Sequence, residues 1–349
     1  TQISNELKEL QEKGQYRILR TLSKIDGKRI LSDRKEFINL SSNDYLGLAS
    51  DSSLLEEFVD HIQKNNLIND LGMSSTSSRL LTGNHSAYKA LEDELARLFN
   101  REAALVFNSG YHANTGIIEA LCKKDDLIVS DKLNHASMID GIKLSGADFY
   151  RFNHLNYDHL EKILKEKRAK YKNVFILTES VFSMDGDMAD LKRLVELKEK
   201  YDCVLYVDEA HSCGVLGNNG LGLAEETGMI AKIDILVGTF GKAFASLGAF
   251  CVCDQALREY LINFMRPFIF TTALAPVNLN WSLFILKKIP SFKDKRKILR
   301  QISDRLRHLI RQKGYQTAGN SQIIPLILGE NEKALKVAAR LQENGFFAL

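Results

Sequence analysis

Several titratable side chains stand directly after short apolar runs. Ser109-Gly110-Tyr111-His112 follows ALVFN (104–108), and His135 lies a few residues beyond LIVS (127–130). Glu179 to Asp187, with Ser183 inside, follows VFILT (174–178). Asp208-Glu209-Ala210-His211 follows CVLYV (203–207), and Gly238-Thr239-Phe240-Gly241-Lys242 follows IDILV (233–237). A small-residue turn opening a helix offers free backbone N–H groups and a positive dipole end, which suits a phosphate. The same residues also suit a plain strand-to-helix turn. His135 reads either as a capping histidine or as a flat ring for stacking. An Asp at the tip of a buried strand is costly unless its charge meets a partner. Asp208, Glu209 and His211 also suggest metal ligands, but adjacent strand residues face opposite ways, and no metal site is expected. Lys242 is not a Walker lysine, because Leu236 and Ala243 stand where Gly and Ser or Thr are needed. A lysine held semi-buried has its pKa lowered, which frees the amine as a nucleophile toward a carbonyl.

Taken together, these groups offer a phosphate cradle, a carboxylate, and an amine with the Thr239 hydroxyl three residues before it. His135 supplies a ring. A phosphorylated aromatic aldehyde with a basic ring nitrogen needs that set, and pyridoxal 5′-phosphate (PLP) is such a molecule.

The elements that must position them alternate. Strands are predicted at Ala104–Asn108, Leu127–Ser130, Asp148–Phe152, Val174–Thr178, Cys203–Val207, Ile233–Val237 and Ala249–Val252. Helical patterns lie between them at Tyr111–Cys122, Ala136–Leu144, Asp158–Lys167 and Asp190–Lys200, with Asp187 or Asp190 as a cap. Such alternation predicts an α/β fold: a mostly parallel sheet with helices on both faces. Ligands then sit at the carboxyl ends of the strands, where the polar residues are. The expected organisation is an arm over 1–45 with a helix and a strand at Phe37–Leu40, and a large α/β domain over 46–265. A smaller α+β domain over 266–349 follows, with a helix near Asn278–Lys288, a basic linker Lys287–Arg300 and a strand at Ile323–Leu328.

Composition narrows the function classes. Across 349 residues, 45% are apolar and 26% charged, which fits a soluble globular protein. With 47 basic and 44 acidic residues, the net charge of +3 gives no footprint for nucleic acid. No apolar run is long enough to span a membrane, and Thr1 to Lys13 lacks the apolar core of a signal peptide. The five cysteines include no C-x-x-C and read as buried hydrophobes in a reducing cytoplasm. Cys251 and Cys253 are expected to share a strand face.

Seven runs, in order, carry a family resemblance: NLSSNDYLGLA (39–49), SRLLTGNHSAYKALEDELA (78–96), NSGYHAN (108–114), DKLNHASMIDG (131–141), ESVFSMDGDMADL (179–191), VDEAHSCGVLGNNGLG (207–222) and TFGKAF (239–244). Jointly they resemble the α-oxoamine synthases, fold-type I PLP-dependent transferases that join an amino acid to an acyl thioester with loss of CO2. SRLLTGN and FIFTTALAP (268–276) are most similar to the biotin-pathway branch. That branch implies L-alanine and a pimeloyl thioester, on CoA or an acyl carrier protein, giving 8-amino-7-oxononanoate. Glycine C-acetyltransferases are the nearest alternative.

The resemblance implies that Lys242 carries the cofactor, Asp208 pairs with its ring nitrogen and His135 stacks on the ring. It places Ser183 and His211 at the phenolic oxygen, and Gly110, Tyr111 and Thr239 around the phosphate. Thr271 and Thr272 match positions that reach the cofactor of a second subunit, which implies a homodimer. Arg17 and Asn43 match substrate-contacting positions. Gly72 to Arg79 departs from the family's Gly-rich stretch. The family's C-terminal strand, with its carboxylate-binding Arg, is not found before Leu349, and a strand beginning at Phe346 is expected to be cut short. The basic stretches Lys162–Lys172 and Lys287–Arg300 read as solvated faces or as a surface for an acidic carrier protein.

Overall fold

The computed structural model describes residues 1–62 and 67–348. Three short strands come first: β1 (Ser23–Lys24), β2 (Arg29–Ser32) and β3 (Lys35–Asn39). The central sheet is built from β4 (Ala103–Phe107), β5 (Leu127–Asp131), β6 (Asp148–Phe152), β7 (Val174–Glu179), β8 (Val204–Asp208), β9 (Ile235–Thr239) and β10 (Ala249–Cys253). Their order across the sheet is β4-β10-β9-β8-β7-β5-β6. All pairs are parallel except those of β10, which runs antiparallel to both neighbours. β11 (Phe346–Phe347) pairs in parallel with β3, so residues near both ends of the chain share a second sheet.

Five strands of this sheet, β4, β5, β7, β9 and β10, are buried at every position, as strands covered on both faces must be. The two faces are separate cores. Val106, Leu205, Val207, Leu236 and Phe250 face one; Leu105, Leu177, Tyr206, Val237, Cys251 and Cys253 face the other. The two cysteines therefore share a face, as the spacing predicts. Helices begin where a side chain satisfies the orphan N–H groups. Ser109 caps Gly110–Leu121, His135 caps Ala136–Ser145, Asn156 caps Tyr157–Lys167, and Asp190, not Asp187, caps Leu191–Tyr201.

Two expectations fail. The basic stretch Lys287–Arg300 is no linker: helix Pro276–Lys288 ends there, and helix Lys293–Gln312 starts within it. Its charged residues keep good helical propensity, which composition alone mistakes for a loop. The strand at Ile323–Leu328 is absent, and only a single bridge joins Gln316 to Ile327. A short apolar run needs a partner to become a strand, and the central sheet takes none from this region.

Buried charge ties the strand layer to its helices. Arg79 donates to Glu92 at 2.6 Å and lies over the Tyr88 ring, while Arg258 meets the other Glu92 oxygen at 3.0 Å. Gly238 lets the tip of the Phe250 ring approach β9, just before the Thr239–Lys242 turn. A Cβ at 238 would lie 2.3 Å from the ring. Gly238→Ala is therefore expected to lower stability by about 1–3 kcal/mol through overpacking. Urea denaturation measures it, and an unchanged midpoint would show that the ring yields freely.

Candidate active site

The tip of β8 and the turn after β9 bring Asp208 and Lys242 within electrostatic reach of each other. Asp208 is 6% exposed. Its Oδ2 accepts from Asn114 Nδ2 at 2.7 Å, and its Oδ1 accepts from the Ala210 N–H at 2.8 Å. Asn114 is itself fixed, because its Oδ1 accepts from the Tyr206 hydroxyl at 2.6 Å. The same amide donates to Ser137 Oγ at 2.9 Å, and Ser137 Oγ lies 2.7 Å from His135 Nδ1. One asparagine thus orients both the carboxylate and the histidine turn.

Lys242 Nζ donates to His211 Nε2 at 2.7 Å. Burial pushes the Lys242 ammonium below the ordinary lysine range, against the opposing pull of Asp208. Burial, and then the charge of Lys242, pushes His211 down to about 3, so its ring is neutral. With Nε2 accepting from Lys242, Nδ1 must carry the ring proton. Nδ1 then donates to the Tyr45 hydroxyl at 2.7 Å, which donates onward to Asn43 Oδ1 at 3.1 Å. Gln322 Nε2 donates to the His211 carbonyl at 2.6 Å. A line of hydrogen bonds therefore runs one way from Lys242 to Asn43.

At the start of helix Gly110–Leu121, Ser109 Oγ accepts from the His112 N–H. The N–H groups of Gly110 and Tyr111 belong to a first turn, which a helix leaves without internal acceptors. Gly110 faces Thr239: a Cβ built on it would sit 3.9 Å from the Thr239 Cβ. Thr239 Oγ1 donates to the Gly248 carbonyl at 3.0 Å and accepts from the Gly241 N–H at 3.1 Å. The Tyr111 ring is half exposed, with its hydroxyl 2.5 Å from Asp140. Three buried polar atoms around the site, His112 Nδ1, Glu179 Oε1 and Gln322 Oε1, have no hydrogen-bond partner among the described residues. A free first turn, a desolvated amine and a fixed carboxylate at three strand tips suit a phosphorylated aldehyde with a basic ring.

The other expected residues divide. Ser183 is half-buried in the loop after β7, which is pinned by the Phe182 N–H to the Asp187 carbonyl and by His154 between Asp131 and Asp187. Asn108 Nδ2 holds Thr271 Oγ1 at 3.4 Å and the Thr272 carbonyl at 2.7 Å. Asn43 joins through Tyr45. Arg17 is exposed and bonds to no site residue among those described. Asp208 and Glu209 diverge, as alternation requires. Glu209 turns away to the N–H groups of Leu223 and Ala224 and to the hydroxyls of Ser180 and Ser212. Tyr45, Asn114, Glu179 and Gln322 escape sequence reasoning. Only Asn114 leaves a trace, as a polar residue on an otherwise apolar helix face.

A family model described as aminotransferase class I and II matches residues 35–348. An 8-amino-7-oxononanoate synthase of Chlorobaculum parvum is 49% identical over 347 residues, covering 99% of this chain and 88% of that one. The crystal structure of the 8-amino-7-oxononanoate synthase from Francisella tularensis superposes with a TM-score of 0.77 at 34% identity, over 89% of this chain and 87% of that one. A serine palmitoyltransferase from S. paucimobilis, solved with a bound PLP–myriocin aldimine, gives a TM-score of 0.89 at 27% identity, over 99% and 86% of the two chains. The chain belongs to the aminotransferase class I and II family and, within it, to the 8-amino-7-oxononanoate synthases.

The charges around Lys242 make a signed prediction. Competitive acylation of the cofactor-free protein should give Lys242 a titration point below that of free lysine. Asp208→Asn should move it lower still, because Asp208 favours the ammonium. An upward movement would contradict the assigned electrostatics.

Proposed function

We propose that the chain condenses L-alanine with a pimeloyl thioester, carried on CoA or an acyl carrier protein, using PLP. The products are 8-amino-7-oxononanoate, CO2 and the free thiol. Family membership supports the reaction. The observation that carries the site assignment is a desolvated lysine amine within electrostatic reach of a buried, doubly hydrogen-bonded aspartate.

Bound PLP would act as an electron sink for the carbanion at the alanine α-carbon. Lys242 would bond its aldehyde carbon, and Asp208 would keep its ring nitrogen protonated. His135 would stack on the ring. Ser183 and His211 would lie at the phenolic oxygen, and Gly110, Tyr111 and Thr239 at the phosphate. The Lys242 amine, when not bonded to the cofactor, would take the α-proton of alanine as general base. Burial disfavours the ammonium and so favours the amine form that accepts a proton. The neutral His211, held by Tyr45, then receives a hydrogen bond from Lys242 without competing for the proton. Asn43 and Arg17 would meet the substrates.

A homodimer belongs to the same reading. Phe270, which precedes the Thr271–Thr272 turn, is 72% exposed, and Leu81 is 79% exposed on the segment Arg79–Gly83, whose Gly83 faces Ala273; the turn is held through the Ala273 N–H to the Ser77 carbonyl. Such apolar side chains around a polar turn suit burial by a second copy, whose cofactor the two threonines would reach.

Assays of paired amino acids and thioesters test the substrate assignment. L-alanine with a pimeloyl thioester should release CO2 fastest, and a preference for glycine with acetyl-CoA would overturn it. Lys242→Ala should lower turnover by at least ~10³-fold. Asp208→Ala should slow α-proton exchange more than it weakens alanine binding. Equal losses would make Asp208 merely structural.

A further inference from the structure

Glu179 is the last residue of β7 and pairs in register with Asp208 of β8. Register partners on parallel strands point to one face, and the residues two positions back, Leu177 and Tyr206, do share a core. Two carboxyls therefore stand side by side at the strand tips. Asp208 has its donors. Glu179 is 2% exposed, and its Oε1 has no partner among the described residues. The backbone N–H of His135 lies close to its carboxyl and favours the charged form. Asn134, the neighbour of His135, closes the same joint. Its Oδ1 accepts from the Glu179 N–H at 3.1 Å, and its Nδ2 donates to the Leu177 carbonyl at 2.8 Å. The turn that carries His135 is thus clamped to β7 by a backbone grip and by this carboxyl.

An ionised Glu179 would set a second negative charge against Asp208 with one oxygen bare and out of water, which is costly. Burial, followed by Asp208, pushes its carboxyl up to about 8. Lys242 and the His135 N–H oppose that shift, and Asp131 adds to it.

We propose that Glu179 is a positioning residue that works as a neutral acid, holding the His135 turn against β7 beside the hydrogen-bonded Asp208 carboxyl. Its consequence for the cofactor rests on the PLP reading above; its consequence for the fold does not. Glu179→Gln keeps the shape and the acceptor oxygen and removes only the titration. Glu179→Ala removes the grip.

Two measurements test this. For PLP affinity, the Gln variant should stay within about threefold of wild type, and the Ala variant should bind about tenfold or more weakly. For the cofactor-free protein, the stability owed to neutral Glu179 is complete below about 4.5 and is lost as the pH rises through about 8. Wild type should therefore lose melting temperature between pH 6 and 8.5, and Glu179→Gln should flatten that fall. A Gln variant as weak as the Ala variant would mean that the charge is needed and would overturn the proposal, as would an Ala variant equal to wild type. Parallel melting profiles for wild type and Gln would overturn it too. If the Ala variant does not fold, the Gln comparison decides. Wild type that binds no PLP would sink the functional reading, and the melting profiles would still judge Glu179.

Discussion

An amine out of water, with a neutral imidazole as its hydrogen-bond acceptor and a carboxylate within electrostatic reach, is a finely balanced group. Lys242 is in that position. Desolvation works against its charge, and Asp208 works for it. Were His211 free to take a proton, the pocket would hold two adjacent cations. Burial prevents that, and the Tyr45–Asn43 line fixes which ring nitrogen faces the lysine. The reactivity of the site depends on this balance more than on any single side chain.

The parallel sheet supplies what the balance needs. Its strands end together, so residues from β7, β8 and the turn after β9 meet although they lie dozens of positions apart. Both faces are sealed, so the tips are the one place along these buried strands where polar side chains can gather. The helix Gly110–Leu121 adds its free first turn and, one turn on, Asn114. That asparagine couples Asp208 to the His135 turn through Ser137. Moving any of these elements would disturb carboxylate, ring and amine together.

Most of this was legible in the residues. Strands of Val, Ile, Leu and Phe followed by polar tips announce a covered parallel sheet, and Asp208, His135 and Lys242 stand at three of those tips. The antiparallel course of β10 was not legible, because AFCVC is equally apolar in either direction. Nor was the one-way line through Tyr45: a tyrosine 166 residues before His211 carries no local sign of its partner. Glu179 was visible as a residue and not as a function, since its meaning comes from a cross-strand neighbour that only register reveals. The first turns of helix Lys293–Gln312 lie in the stretch Lys287–Arg300 that reads as a linker, because its charges hide its propensity.

The account stands or falls on where the cofactor is attached. Borohydride reduction of the PLP-loaded protein should fix the link between cofactor and lysine, and proteolysis with peptide mapping locates it. The label is predicted on the peptide that contains Lys242 and nowhere else. A label on another lysine, or a loaded protein that reduction leaves unlabelled, would contradict it.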